Sequence, residues 1–330
     1  MWYLVLGVFI LFFILVNLLF DVYMRSSTDI SSFHVLVTGG SSGIGKSLAI
    51  EAISRGANVT LIARNKARLE EAKEEVESYA VDKQKQKVKI FSIDISKYYE
   101  NVEVVFQKAE EQLGPIDILF NCAGTAFAQK FEDICIEDFK RMIDVNYIGS
   151  VQATKAVLPC MKKRRKGIIV FVSSIAGLFG IYGFSAYSAS KFALKGLAEC
   201  LQMEVKPYSI SITVAYPPDT ETPGFIEEQK TKPIETKQIS QTAAVLSPEI
   251  VAKCIFNDSL DGRFSSTIGI EGWMISNLCC GMSPISSLSQ MFIQILLMGP
   301  FRLIGVFCLK NFDKIIKDCL RQQEENKKVN

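Results

Sequence analysis

Between Phe33 and Ile270 short β-branched runs alternate with helical patterns, and this alternation restricts the fold more than any other property of the chain. His34 to Gly39 reads as a strand, and a glycine-rich turn leads from it into a helix that ends near Arg55. Asn58 to Arg64 is a second strand and Asn65 to Ser78 a charged surface helix. Lys87 to Asp94, Tyr99 to Leu113 and Ile116 to Gly124 repeat the unit, with a helical pattern around Phe139 to Met161 after them. Gly167 to Val172 is a fifth strand, Ser209 to Tyr216 a sixth and Ser265 to Ile270 the last. Strands separated by single helices pair in parallel through right-handed crossovers, which cover both faces of the sheet with helices. The expected class is therefore α/β with a doubly wound parallel sheet.

Two stretches carry chemistry. Thr38-Gly39-Gly40-Ser41-Ser42-Gly43-Ile44-Gly45 lies at the first strand-to-helix turn. Glycines there let the backbone approach a pyrophosphate, and the helix N-terminus offers N–H groups and positive potential. The second stretch, Val172 to Lys191, reads VSSIAGLFGIYGFSAYSASK. A helix from near Ala186 puts Tyr187 and Lys191 one turn apart on one face. An ammonium beside a phenol favours phenolate and is expected to lower the Tyr187 pKa, as acid–base work on a ketone or alcohol requires. Ser174, at the mouth of the preceding strand, brings a hydroxyl to the same oxygen.

Ser174, Tyr187 and Lys191 in this order, with the T-G-x-x-x-G-x-G turn, resemble the short-chain dehydrogenase/reductase family from about Phe33 to Trp273. The resemblance implies a Rossmann domain and a catalytic set of Asn146, Ser174, Tyr187 and Lys191. Asn146 would kink its helix and hold a water near the lysine. Thr38, Gly39, Ser41, Ser42, Gly43, Ile44, Gly45, Asn121, Ala123, Gly124, Tyr187, Lys191, Pro217, Thr220 and Thr222 would serve the nicotinamide cofactor, with Asp94 near its adenine. Two positions depart from the pattern: Cys122 replaces the second Asn of N-N-A-G, and Pro218 replaces a Gly, which sends that loop along a different path. NAD-preferring members carry an acid after the second strand. Ala63 and Arg64 stand there instead, and Arg64 suits a 2′-phosphate, so the expected cofactor is NADPH.

Composition narrows the alternatives. Lys+Arg number 37 and Asp+Glu 35, so no global field points to nucleic acid. Nine cysteines without a C-x-x-C pair, and a single histidine, His34, supply no zinc spacing; no metal is expected. Trp2 to Phe20 is free of charge and long enough to cross a bilayer, and it lacks the basic start and small-residue cleavage site of a signal peptide. Trp273 to Leu288 and Met291 to Leu309 are again apolar, interrupted by Pro300 and Arg302; a re-entrant or interfacial hairpin, or the surface of a homodimer, fits them. The expected organisation is an anchor at 1–20, a linker at 21–32, a nucleotide-binding catalytic domain at 33–272, an apolar membrane-associated segment at 273–310 and a polar tail at 311–330. The terminal Lys327-Lys328-Val329-Asn330 resembles a dilysine retrieval signal or is simply a solvated tail.

Within the family, Leu201 to Phe225 and the apolar C-terminal segment are similar to membrane-bound reductases of long-chain keto-amine lipids; steroid or retinoid carbonyls are the alternative substrates, and a catalytically silent membrane scaffold the alternative role. The polar, poorly periodic stretch Asp219 to Leu246 is expected to be a substrate lid, and Asp219 and Glu221 to face the substrate amine. Arg25, with nothing basic before it, leans the domain toward the cytosol, and with the terminal lysines this implies the endoplasmic-reticulum membrane. Protease added to sealed microsomes should digest both the catalytic domain and the C-terminus. Protection of either, or a glycan on Asn257, contradicts that topology.

Overall fold

The computed structural model describes residues 28–329. The expected anchor at 1–20, most of the 21–32 linker and Asn330 of the terminal signal lie outside the described residues. The elements in chain order are β1 (His34–Thr38), α1 (Gly43–Ser54), β2 (Asn58–Ala63), α2 (Lys66–Ser78), β3 (Val88–Ser92), α3 (Tyr99–Leu113), β4 (Ile116–Asn121), α4 (Ile136–Ile143), α5 (Gly149–Arg164), β5 (Gly167–Val172), α6 (Ser185–Val205), β6 (Ile210–Tyr216), α7 (Pro223–Thr231), α8 (Ile234–Ser240), α9 (Pro248–Leu260), β7 (Ser265–Thr267), α10 (Gly269–Leu278) and α11 (Leu288–Val329).

The seven strands pair in parallel in the order β3-β2-β1-β4-β5-β6-β7. Alternation within the strands sends side chains to two cores. Val35 and Val37 pack with Leu48 of α1, Leu69 of α2 and Phe256 of α9, whereas Leu36 packs with Phe106 of α3, Val157 of α5 and Leu194 of α6. Helices thus cover both faces, as the pattern requires. The order reverses between β1 and β4, and the crevice beyond the carboxyl ends of these strands is where a doubly wound sheet binds ligands. His34 has no part in it: Nδ1 lies 2.7 Å from the Gly114 carbonyl and Nε2 2.8 Å from Thr60 Oγ1, inside the sheet.

Three segments differ from the sequence expectation. The stretch after β6 is not irregular: Thr222 caps α7, accepting from Phe225 N at 3.1 Å with Pro223 in the first turn, and α8 follows. Helices of nine and seven residues are too short for a period to show. The expected hairpin is helical on both sides, and α11 runs through Pro300. Contacts with α10 offset the lost bond at the proline: Phe301 packs edge-on against Trp273 at 5.4 Å, and Gln294 Nε2 donates to Asn277 Oδ1 at 3.3 Å. The exposed face of α11 carries Ile295, Leu303 and Phe307, and from Leu288 to Asn326 the helix is long and apolar enough to cross a membrane. Its polar end returns to the domain, where Gln323 Nε2 donates to Glu235 of α8 at 3.3 Å. Finally, Asn257 is half-buried and its Oδ1 accepts from Arg55 at 2.7 Å, so protease protection reads the topology better than a glycan there.

Glycine is required where backbones touch. A Cβ on Gly45 would fall onto the Gly39 carbonyl, 2.8 Å from its carbon, whereas one on Gly196 in α6 meets nothing within 4 Å. Gly45→Ala should therefore destabilise by about 1–3 kcal/mol, and Gly196→Ala should stabilise by about 0.5–1 kcal/mol. Thermal unfolding of the detergent-solubilised protein should move in opposite directions for the two; no fall for Gly45→Ala contradicts the packing at Gly45, and a fall for Gly196→Ala contradicts the open space there.

Candidate active site

One cleft of about 1310 Å³ runs from the glycine turn to α11. At its first end the chain passes close to its own β4 turn: a Cβ on Gly39, whose φ is +69°, would lie 2.8 Å from Ala123 N and Cα. Thr38 holds this approach from behind. Its buried Oγ1 accepts from Cys122 N and Ala123 N, both at 3.1 Å, and donates to Phe120 O at 3.3 Å. Thr38 therefore shapes the cleft without lining it. The first turn of α1 has no side-chain cap and no acidic residue, so its N–H groups remain for an anion. Ser41, Ser42, Gly43, Ile44 and Gly45 line the cleft around it.

Beyond β2, Arg64 lines the same end of the cleft, and so does Arg68 one turn along the chain. Sequence reasoning missed Arg68; its place in the first turn of the helix that follows Arg64 was the signal. Asp94 lines the same cleft. Burial raises its carboxyl pKa, but hydrogen bonds from Ser96 (2.6 Å from Oγ, 3.0 Å from N) and the Arg64 and Lys97 charges outweigh this and hold it below the ordinary value. An uncapped helix start, glycines admitting a close backbone approach and two guanidiniums fit a phosphorylated dinucleotide.

The residues expected to carry catalysis sit mid-cleft. Ser173 Oγ donates to the Lys191 carbonyl at 2.9 Å, tying the end of β5 to α6, and Ser174 follows at the start of a short 3₁₀ turn. Lys191 Nζ is buried and donates to Val172 O at 2.9 Å. Burial brings its pKa down to about 8, against a smaller opposing effect of Cys122. The Cys122 thiol is itself pushed up to about 12 by burial. Burial likewise drives the Tyr187 phenol above its ordinary value; a hydrogen bond with Ser174 opposes this, and the charges of Glu228 and Asp219 reinforce it. The expected depression by Lys191 is absent in the protein alone, where Nζ lies 5.7 Å from the Tyr187 ring centroid and points to Val172. Tyr187 is thus a neutral acid at physiological pH.

Asn146 kinks its helix as expected: residues Asp144–Ile148 form a π turn, with Gly149 N donating to Asp144 O. Its side chain bridges two segments. Oδ1 accepts from Thr125 N at 2.8 Å, and Nδ2 donates to Thr125 O at 3.0 Å and to Ser190 Oγ at 2.8 Å. Asn146 therefore clamps the loop after Gly124 to α6. Asn121 is also behind the wall, with Nδ2 on Thr154 Oγ1 at 3.2 Å. Ala123, Gly124, Pro217, Thr220 and Thr222 line the cleft. Around Pro218 the loop is pinned to Leu246, which donates from N to Asp219 O at 3.0 Å and accepts from Glu221 N at 2.9 Å.

Of the two acids expected to face the substrate, Asp219 lines the cleft, whereas Glu221 is exposed and outside it. Glu228 of α7 lines it instead, beside the buried Lys232. Beyond Tyr187 the wall turns mainly apolar, with Phe184 before α6, Ile239 from α8, Met274 and Leu278 from α10 and Ile304 and Phe307 from α11; Glu271 and Arg302 are the charged side chains of α10 and α11 that line it.

A family profile described as short chain dehydrogenase matches residues 33–233. The 3-dehydrosphinganine reductase of Danio rerio is 51% identical over 325 residues, spanning 98% of this chain and 98% of that protein. The 3-ketodihydrosphingosine reductase of Mus musculus is 52% identical over 290 residues, 88% of this chain and 87% of that protein. Among solved structures, levodione reductase shares the fold with a TM-score of 0.67 at 23% identity, over 75% of this chain and 99% of that one. The chain belongs to the short-chain dehydrogenase family and is an oxidoreductase acting with a nicotinamide cofactor on a keto or hydroxyl group.

Proposed function

We propose that this enzyme uses NADPH to reduce the 3-keto group of 3-ketosphinganine, giving sphinganine for sphingolipid synthesis, at the cytosolic face of the endoplasmic-reticulum membrane. The observation that carries this reading is the continuity of one cleft from Tyr187 to the apolar wall on α10 and α11. A long-chain ketone entering from a bilayer keeps its alkyl chain against Met274, Leu278, Ile304 and Phe307 while its polar head reaches the phenol. The names borne by the Danio rerio and Mus musculus relatives support the same substrate.

The bound nicotinamide supplies the hydride. Ser174 donates a hydrogen bond to the ketone oxygen, and Tyr187 delivers its proton there as charge develops. The raised phenol pKa keeps that proton in place until the ketone needs it, which suits reduction. Lys191, held by Val172 O, offers its remaining N–H groups to the cofactor ribose and stabilises the phenolate left after transfer. The α1 N-terminus would hold the phosphate-bearing end of the cofactor, and Arg64 with Arg68, which line the same end of the cleft, would hold a 2′-phosphate.

Microsomes carrying the protein, given 3-ketosphinganine, a ketosteroid and retinal in parallel, should consume the first fastest with NADPH. Faster turnover of the steroid or retinal overturns the substrate, and no turnover of any carbonyl supports a silent scaffold. Arg64→Asp should lower the NADPH-to-NADH preference by at least about tenfold, and Arg68→Asp should add to the loss; equal use of both cofactors by the unmutated protein contradicts the assignment. The lysine also predicts a pH profile. Lys191 is a cation below about 8 and neutral above it. kcat/KM for NADPH, which reports the free enzyme, should therefore be level below that pH and fall above it. An unchanged inflection in Lys191→Met would assign the titration to another group.

A further inference from the structure

The lid holds a charge imbalance against the catalytic centre. Lys232 is 4% exposed, and its Nζ lies 2.8 Å from Glu228 Oε1, 3.1 Å from Ser240 Oγ and 3.7 Å from Asp219 Oδ2. It also sits over the rings of Phe184 and Phe225, at 5.4 and 5.3 Å from their centroids. One ammonium therefore meets two carboxylates. Glu228, 7% exposed and closer, forms the tight pair with Lys232; Asp219, whose side chain keeps 30% exposure, is the surplus charge and lines the cleft. Burial holds the Glu228 carboxyl above the usual carboxylate range although Lys232 works against it, and Asp219 pushes it further up. A single ammonium leaves this group short of positive charge.

The surplus is at the reacting end of the cleft. Phe184 touches Lys232 on one side and stacks near Tyr187 on the other, at a centroid distance of 5.4 Å. The charges of Glu228 and Asp219 also raise the Tyr187 pKa, which places their potential at the catalytic phenol. A neutral ketone gains nothing from a carboxylate there. A ketone with an ammonium on the neighbouring carbon gains a charge-assisted hydrogen bond and supplies the missing positive charge.

We propose that Asp219, kept available by the Glu228–Lys232 pair, receives the ammonium of the substrate, so that the enzyme selects α-amino ketones over neutral ketones of equal length. This rests on the reading of the substrate as a long-chain amino ketone, and it makes Asp219 a specificity-determining residue and Glu228 a positioning residue. In Glu228→Gln, Lys232 loses its near partner and turns to Asp219, so that variant should lose the same selectivity.

The test is the ratio of kcat/KM for 3-ketosphinganine to that for its 2-desamino counterpart, measured with the full-length protein in microsomes. The unmutated protein should favour the amine by roughly tenfold or more, and Asp219→Asn should bring the ratio down about ten- to a hundredfold. Glu221→Gln, outside the cleft, should keep the ratio. N-acetylation of 3-ketosphinganine should cost the unmutated protein a similar factor, a measurement that needs no variant to fold. Equal use of the amino and desamino ketones by the unmutated protein overturns the ammonium site and leaves the ketone assignment standing, as does a parallel fall on both ketones in Asp219→Asn. Turnover of neither ketone overturns both.

Discussion

The buried ammonium of Lys191 is the interaction on which the proposed catalytic centre depends. Taking a charge out of water is costly, and here one protein carbonyl, Val172 O, accepts its bond. The surrounding structure fixes that position: Ser173 Oγ holds the Lys191 carbonyl, and a Cβ on Gly177 would strike Ser173 Oγ and approach the same Lys191 carbonyl to 3.0 Å. Across the cleft Gly124 packs beside Nζ, where a Cβ would come within 3.4 Å of it and 3.2 Å of Asn146 Oδ1. The kinked helix, the β4 turn and α6 thus converge on one nitrogen whose remaining donors face the cleft. In the proposed reaction this cation would meet the ribose hydroxyls and the phenolate that forms when Tyr187 gives up its proton.

Charge is distributed along the cleft to match a two-part occupant. Arg64, Arg68 and the bare start of α1 make one end positive. The middle carries a neutral phenol and a lysine. Past these, Asp219 and Glu228 outnumber Lys232, and the far wall on α10 and α11 is mainly aliphatic and aromatic, with Glu271 and Arg302 as charged exceptions. The lid is braced from two directions. Thr236 Oγ1 donates to Tyr182 O at 2.8 Å beside the catalytic helix, and Cys319 and Gln323 of α11 reach α8. An apolar helix of membrane-spanning length and the helices after β6 are therefore one connected structure, which suits the proposed ligand drawn from a lipid phase.

Where local chemistry decides the structure, the sequence was legible. β-branched runs separated by single helices led to the sheet, the glycine spacing to the β1–α1 turn, and the four-residue step from Tyr187 to Lys191 to the acid and its cation. What escaped depends on long-range contacts. Thr38 and Asn121 resemble cofactor ligands by position, and the sequence did not reveal their protein partners 84 and 33 residues away. Asn146 is read correctly as a kink, yet its amide is consumed by Thr125 and Ser190, neither of which the helix pattern reveals. The Tyr187 pKa moves opposite to expectation because burial exceeds the influence of an ammonium aimed at Val172. Glu221 and Glu228 exchange roles because α7 begins between them at Pro223 and turns the later acid inward. Pro300 looks like a helix breaker until Trp273 and Asn277 are seen to hold the turn around it.

The central claim, that Tyr187 and Lys191 serve hydride delivery to the 3-keto carbon of a long-chain amino ketone, is tested most directly by isotope transfer. The protein is given 3-ketosphinganine and NADPH deuterated at both C4 positions, and the product is analysed by mass spectrometry with fragmentation. The account predicts sphinganine carrying a single deuterium at C3. Sphinganine without deuterium, or with deuterium at another carbon, would contradict it.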